Sequence, residues 1–142
     1  MDAWTRTFVS LLLVVSQLIP LCASAASLQY EPTVVELRGT VALEEHFGPP
    51  CYGESPQTDS VELIAVILLD EPVSVEGDAD PQSLNGTSYM DVRRLQLVRP
   101  YSDPPFSPYA GKHVVVSGTL YEGFTGHHHS DVLIHVQGIS VQ

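Results

Sequence analysis

Apolar and polar side chains alternate along much of the chain beyond residue 26, and this alternation predicts β-strands. Between Thr33 and Leu43 the odd positions from Val35 onward carry apolar residues or glycine, whereas the even positions include Glu36 and Arg38. A period of two buries one row of side chains and exposes the other. Residues 62–69 are apolar at almost every position, which predicts a central strand covered on both faces. The predicted strands span residues 33–43, 62–69, 92–98, 113–121 and 131–141.

Two glycines lie inside predicted strands and indicate where the sheet bends. Gly39 interrupts the first strand and Gly118 the fourth. A glycine within a strand marks a bulge or a sharp bend at which a sheet curls closed. Five short strands with such bends predict an all-β domain, a small five-stranded barrel similar to the oligonucleotide/oligosaccharide-binding (OB) fold. A sandwich of two sheets needs about seven strands, more than the pattern contains.

The connections between these strands are rich in residues that prevent regular structure. Adjacent prolines within residues 48–53 predict a shaped loop. Asn85-Gly86 is a strong turn signal in the acidic segment 78–87, and with Thr87 it forms a glycosylation sequon. The prolines between Tyr101 and Tyr109 leave room for a single helical turn at most.

Residues 1–25 have the features of a cleaved secretory signal peptide. An apolar run from Phe8 to Leu21 precedes Ala23-Ser24-Ala25, the small residues that favour cleavage. The run is shorter than the roughly 20 apolar residues of a spanning helix. Because Leu21 precedes Cys22 where a lipoprotein signal needs a small residue, no lipid anchor is expected. We therefore expect one exported domain, residues 26–142, that is periplasmic or secreted and has no stable membrane anchor.

The charge of the chain argues against one class of partner. The sequence contains 17 acidic and 6 basic residues, for a net charge of −11. Loss of Asp2 and Arg6 with the signal peptide leaves this balance unchanged. Non-specific nucleic-acid binding depends on Lys and Arg, so nucleic acid is not an expected partner. After cleavage Cys51 is the only cysteine, so no intramolecular disulfide is possible. We expect a thiol that lies buried or half-buried in a loop, and an intermolecular bridge or a metal ligand is the alternative.

Three consecutive histidines, His127, His128 and His129, form the main concentration of side-chain chemistry. Imidazole is a common ligand of zinc and copper. In an extended segment alternate residues share a face, so His127, His129 and Asp131 are candidate metal ligands, and His128 should point away. His135 shares this parity but lies roughly 13 Å along the strand, too far to join His129.

Other interpretations of the cluster remain open. The histidines can form a polar turn whose imidazoles hydrogen-bond the loop that follows Leu43, or they can sense pH. His46, Cys51 and Glu54 supply zinc-ligand atoms in the proline-rich loop, but their spacing matches no paired-ligand motif. No nucleophile elbow or other catalytic motif accompanies these groups, so we expect no enzymatic activity and no obligatory cofactor.

Aromatic residues concentrate in the loops and at the strand ends, where a barrel of this kind binds ligands. Tyr52 lies in the loop of residues 48–53 and Phe124 begins the segment 124–131, and we assign ligand binding to these two residues and to residues 127–129. Plugs that close the ends of the barrel are an alternative role for such residues. The expected function is a binding module for an unknown protein, peptide, glycan or other small ligand. Transition-metal binding through His127 and His129 is the alternative.

Several short motifs resemble a family of secreted bacterial domains, domain of unknown function 4431. These motifs, in order, are Tyr30-Glu31-Pro32, Gly48-Pro49-Pro50, Gly111-Lys112, residues 114–120 and Thr125-Gly126-His127-His128-His129. The resemblance implies an exported, barrel-like bacterial domain of unestablished activity. Family members often carry two cysteines at places that match Ser27 and Ser74 here, so both halves of the implied disulfide are absent together.

Overall fold

A computed structural model describes residues 26–100 and 105–142. The described chain contains six strands and one short 3₁₀ helix, Ser107–Tyr109, in the proline-rich segment where a single turn was predicted. No helix among the described residues is long and apolar enough to cross a membrane. The strands are β1 (Ala26–Gln29), β2 (Val34–Phe47), β3 (Val61–Glu76), β4 (Tyr89–Val98), β5 (His113–Glu122) and β6 (Val132–Val141).

Five of the strands form a closed ring of hydrogen-bonded pairs. Strand β2 pairs with β3 and β5, β3 also pairs with β4, and β6 joins β4 to β5. The β4–β6 pairing is parallel and the other four are antiparallel. This barrel-like ring confirms the predicted all-β, OB-like class. Strand β1, which pairs in parallel with the end of β3, was not predicted because its four residues show no alternation.

The two strand glycines lie where backbones approach closely. Gly39 pairs with both β3 and β5, and a side chain there would collide with the carbonyl of Leu68. A side chain at Gly118 would collide with the carbonyl of His135, and the β5–β6 register shifts between Ser117 and Gly118. The predicted bends therefore occur at glycines because no Cβ fits in these places.

The alternating apolar rows fill the interior of the ring, as predicted. Some side chains on the other face of the sheet, which points away from this core, are buried as well. Val66 and Leu133 are 0% exposed, although the residues next to them in sequence are the ones that face the core. The two-sided burial predicted for β3 holds for residues 64–67, whereas Leu63 and Leu68 are exposed. The buried core includes Val35, Leu37, Val41, Ala65, Ile67, Leu95, Leu97, Val114, Val116, Leu120, Val132, Ile134 and Val136.

The acidic segment before β4 is fastened to the end of β5 by buried polar contacts. The amide oxygen of Asn85 accepts a hydrogen bond from the backbone N–H of Glu122 at 2.9 Å. The Glu122 carboxylate accepts from the N–H of Thr87 and from the hydroxyl of Tyr89. Asn85 is 8% exposed, so the folded domain buries the acceptor of the sequon.

Ser27 and Ser74 face each other in the parallel β1–β3 pairing. These are the two positions at which the family resemblance implies a disulfide. Their adjacency gives the implied pairing a structural basis, since neighbouring strands bring Cα atoms within disulfide range. In this chain the Ser27 hydroxyl instead donates to the carboxylate of Glu76 at 2.6 Å.

Replacement of Gly118 by valine should destabilise the domain by about 1–3 kcal/mol, because the added side chain has no space against β6. Urea unfolding monitored by circular dichroism measures the change. Gly86→Ala is the matched control, since the nearest atom to its added Cβ lies 3.8 Å away. A Gly118→Val variant as stable as the wild type would contradict the role assigned to this glycine.

Candidate functional site

The segment between β5 and β6, residues 123–131, is a compact turn that we name the histidine turn. The N–H of Gly123 donates to the carbonyl of Asp131 at 2.8 Å and closes its base. The Nδ1 atom of His128 accepts from the N–H groups of Phe124 and Thr125 at 3.0 and 3.4 Å. The His128 ring also packs edge-on against Tyr121 and Phe124. His128 therefore stabilises the turn from within.

Burial lowers the pKa of His128 below its usual value, and the neighbouring His127 and His129 lower it further. A neutral imidazole suits this position, because Nδ1 must present a lone pair to the two N–H groups. The prediction that His128 points away from its neighbours is confirmed, since its ring contacts Tyr121 and Phe124 rather than the acceptors of His127 and His129.

Two side chains of β4 hold the histidine turn against the outer face of the ring. The amide of Gln96 accepts from the N–H of His129 at 2.7 Å and donates to the carbonyl of His127 at 3.0 Å. Arg94 donates to the carbonyl of His129 at 2.9 Å and to the hydroxyl of Ser130 at 2.6 Å. Alternation along β4 turns both side chains away from the core, and Gln96 is only 7% exposed. The turn is therefore fixed through its backbone.

The rings of His127 and His129 converge on one carboxylate, that of Glu62 at the start of β3. His127 Nδ1 lies 2.6 Å from Glu62 Oε1, and His129 Nε2 lies 3.4 Å from Glu62 Oε2. His127 is 58% exposed, whereas His129 is 14% exposed. The carboxylate fixes the orientation of His127 more firmly than that of His129, because only the first contact has a normal hydrogen-bond length.

Tyr52 connects the β2–β3 loop, residues 48–60, to the histidine turn. Its hydroxyl lies 2.9 Å from His127 Nε2, and the two rings meet edge-on. Tyr52 adopts a positive φ of 52° in a loop that the Asp59 carboxylate organises by accepting N–H bonds from Cys51, Gly53 and Ser55. These contacts match the predicted polar turn whose imidazoles hydrogen-bond the loop after Leu43.

Gly126 lets the tyrosine approach the turn. A Cβ at this position would lie 2.9 Å from the Tyr52 ring. That separation is shorter than van der Waals contact, so a larger residue would push the two loops apart.

A second polar group borders the histidines at the end of β2. The ring of His46 stacks on that of His129 with centroids 4.2 Å apart, and its Nε2 lies 3.0 Å from the Glu44 carboxylate. Arg94 also donates to Glu44, with Nε at 3.0 Å from Oε1. The hydrogen bonds from Arg94, followed by that from His46, hold the Glu44 pKa at about 2 despite partial burial.

Two grooves flank the histidine turn. The larger, about 790 Å³, runs between the start of β3 and the end of β4, and His127 and His128 line it. The smaller, about 580 Å³, lies between the turn and the first half of β4. Three predicted residues, Phe124, His129 and Asp131, line the smaller groove, and His128 borders both.

The predicted metal ligands do not all converge. His127 and His129 meet at Glu62, but the carboxylate of Asp131 forms none of the contacts of that cluster. Within residues 26–100 and 105–142, no group of three or more His, Cys, Asp or Glu side chains is arranged to hold a metal ion. His135 packs against Tyr121, away from His129, as its distance along the strand predicted.

The residues of the second candidate zinc site, His46, Cys51 and Glu54, do not converge in the fold. His46 reaches the histidine turn through its stacking on His129. Cys51 lies half-buried in the β2–β3 loop as a free thiol, which confirms the prediction for this residue. Glu54 is exposed in the same loop, and its backbone N–H donates to the carbonyl of Cys51 at 3.2 Å. Within the described residues its carboxylate contacts neither His46 nor the thiol of Cys51.

Four residues of this site were not predicted: Glu44, Glu62, Arg94 and Gln96. Glu62 and Gln96 have apolar residues on both sides in sequence, whereas Glu44 precedes Glu45 and Arg94 follows Arg93. Alternation alone could have placed all four on the outer face. Their convergence on the histidine turn depends on strand register, which local sequence does not specify.

Comparison with known proteins adds one finding. Residues 94–140 match the family "Domain of unknown function (DUF4431)". The predicted resemblance is confirmed over this part of the chain. The DUF4431 match includes Arg94, Gln96 and the whole histidine turn, whereas Glu44, Tyr52 and Glu62 lie outside it. No curated protein and no solved structure matches the chain.

Glu44→Gln should destabilise the domain by about 1–2 kcal/mol at neutral pH, because the ionised carboxylate accepts charge-assisted bonds from Arg94. The folded pKa lies below the usual value of 4.5, so this stabilisation is complete above pH 4.5 and is lost as the pH falls towards about 2. Urea unfolding of wild type and variant should therefore differ at pH 7 and converge near pH 2. Glu36→Gln, at an exposed ion pair with Arg38, should have little effect at either pH.

Proposed function

We propose that this protein is an exported binding module whose ligand, a protein, peptide or glycan, occupies the larger groove beside the histidine turn. The observation that carries the proposal is the position of that groove. It lies between strands β3 and β4 of the ring, and residues of the histidine turn form part of its lining. The polar groups of the site mostly hydrogen-bond one another, and this arrangement favours a binding site over a catalytic one.

The composition of the groove supports ligand binding. Leu63 lines it with a side chain that is 62% exposed, and Leu97, Phe106 and other apolar residues form its floor and far wall. The exposed residues Ser107 and Thr125 provide polar atoms in its lining. An apolar concave surface with a few convergent polar groups is the usual character of a ligand site.

The fold supplies a second argument, by analogy. In OB folds ligands bind on the face of the second and third strands, between the loops that connect strands one to two and four to five. In this ring those strands are β3 and β4, and those loops are the β2–β3 loop and the histidine turn. Tyr52 and His127, which join the two loops, border this location.

The ligand need not be the same as in nucleic-acid-binding OB folds. A net charge of −11 opposes binding to a phosphate backbone. Sugars and peptides impose no such repulsion, and an aromatic ring such as that of Phe106, which lines the groove, can stack on either. We therefore propose that nucleic acid is not a partner.

Export to the periplasm or beyond the cell is part of the proposal. It is supported by the apolar run and small-residue site within residues 1–25, which lie outside the described residues. Intact-mass measurement of protein recovered from the exported fraction tests it, and we expect a chain that begins at Ala26 without a lipid adduct.

Leu63→Asp should weaken ligand binding by about tenfold or more, because it places a charge on the apolar wall of the groove. Ligands are first identified by applying tag-free wild-type protein to glycan and peptide arrays. The affinity of the variant for each hit is then measured by calorimetry.

The matched control is Leu68→Asp, which changes an exposed leucine of the same strand outside the groove. Both variants should melt close to the wild-type temperature, since both side chains are largely exposed. Equal affinity of the two variants for an array ligand, or the absence of any ligand, would count against the proposal.

The alternative function is transition-metal binding, and one observation favours it. The imidazoles of His127 and His129 already face a common carboxylate, and the ring of His46 lies against His129. Zinc and copper accept such nitrogen and oxygen ligands. Against it stands the finding that no three metal-ligating side chains of the described residues are arranged around one point.

Zinc titration separates the two functions. If the alternative is correct, the melting temperature of tag-free protein should rise with the logarithm of free zinc. The effect should weaken below about pH 6.5, because protons compete for the imidazole lone pairs. His127→Asn with His129→Asn should abolish it, whereas His135→Asn should not. The binding-module proposal instead expects no zinc affinity tighter than about 100 μM, as measured by calorimetry.

A further inference from the structure

The larger groove is a seam at which two neighbouring strands separate. Residues Val61–Ala65 of β3 pair with β2 along one edge. On the other edge, pairing with β4 begins only at Val66, which faces Gln96. Nothing in the described part of the chain pairs with the β4-facing edge of residues 61–65, and the groove occupies this space.

An open strand edge presents a regular row of backbone N–H and C=O groups. An extended peptide matches such a row with its own backbone and can add to the sheet as another strand, whereas a glycan has no matching row. Five residues at about 3.3 Å each give an edge of roughly 16 Å, enough for a short added strand. The exposed side chains of Val61 and Leu63 lie along this edge and would contact its apolar side chains.

Arg99 supplies a charge next to the seam. Its Nε atom is buried and forms no hydrogen bond with any described residue, and its guanidinium carbon lies 5.0 Å from the centre of the Phe106 ring. Buried polar atoms almost always have a partner, and this donor has none among the described residues. A carboxylate is the natural partner of a guanidinium.

The groove does not share the acidity of the whole molecule. Glu62 is the only acidic residue among its described lining residues, and its carboxylate is already engaged by His127 and His129. Among the described lining residues, no carboxylate is therefore left to pair with Arg99. The charge of the site complements an acidic group despite the net charge of −11.

We propose that the ligand is an extended peptide segment that adds as a strand to residues 61–65 of β3 and places an Asp or Glu side chain against Arg99. The proposal rests on the binding function assigned to the same groove and narrows its ligand class. A side-chain carboxylate is specified because Arg99 lies three residues beyond Gln96, roughly 10 Å from the closed end of the seam. The charge of Arg99 therefore lies alongside the added strand, where a side-chain carboxylate can meet it, and not at the end of that strand.

Selection from a phage-displayed library of random peptides on immobilised, tag-free protein provides the probe. Selected peptides should be enriched in Asp or Glu at one position among apolar residues. A synthetic peptide of the selected sequence should bind Arg99→Gln about tenfold more weakly than wild type, the loss expected for one charge-assisted bond. Arg93→Gln, an exposed arginine of β4 paired with Asp91 outside this groove, is the matched control and should bind normally.

Backbone methylation tests the strand addition itself. N-methyl groups at alternate positions of the peptide remove the N–H donors on one edge of an extended strand. N-methyl groups on the peptide edge that pairs with β3 should abolish binding. N-methyl groups at the other alternate positions, on the opposite edge, should leave binding nearly unchanged.

The outcomes separate this inference from the broader proposal. Glycan hits that depend on Leu63, with no peptide selected, would support the groove as a binding site and overturn the peptide assignment. Peptides that bind equally well to Arg99→Gln, or that tolerate methylation in both registers, would also overturn it. Failure of both glycans and peptides to bind would overturn both proposals.

Discussion

The architecture of the site depends on the buried side-chain amide of Gln96. Its oxygen accepts a hydrogen bond from the N–H of His129, and its nitrogen donates one to the carbonyl of His127. An amide is suited to this position because it is both donor and acceptor, so neither backbone group is left without a partner in a buried place. Loss of this contact would free the turn from the sheet and leave polar atoms of both segments unpaired.

This anchoring determines what the three histidines can do. The backbone of the turn is fixed by Gln96 and Arg94, and His128 bonds the turn from inside and packs on Tyr121 of the adjoining β5. His127 and His129 are therefore the histidines of the turn whose rings reach β2, β3 and the β2–β3 loop. Those rings meet Glu62, and His127 also meets Tyr52. Three identical side chains therefore have distinct roles, one within the turn and two between the turn and the neighbouring strands and loop.

Sequence reasoning predicted the strands well and the site only in part. Period-two alternation located five of the six strands to within a few residues at most ends, and the buried row of β2 was assigned correctly. It also separated His128 from His127 and His129, since opposite faces follow from local geometry. It extended β3 too little, because Pro72 and the acidic residues before it resemble a strand end although the strand continues to Glu76.

The partners of the histidines could not be predicted in the same way. Glu62 and His127 are 65 residues apart, and their contact exists only because the ring closes in one register. Register also explains the open seam: β4 bonds with β6 at residues 96–98, so its end diverges from the start of β3. Closure of the ring through β6 thus has two consequences. It brings the histidine turn over the sheet, and it leaves the adjoining strand edge available to another chain.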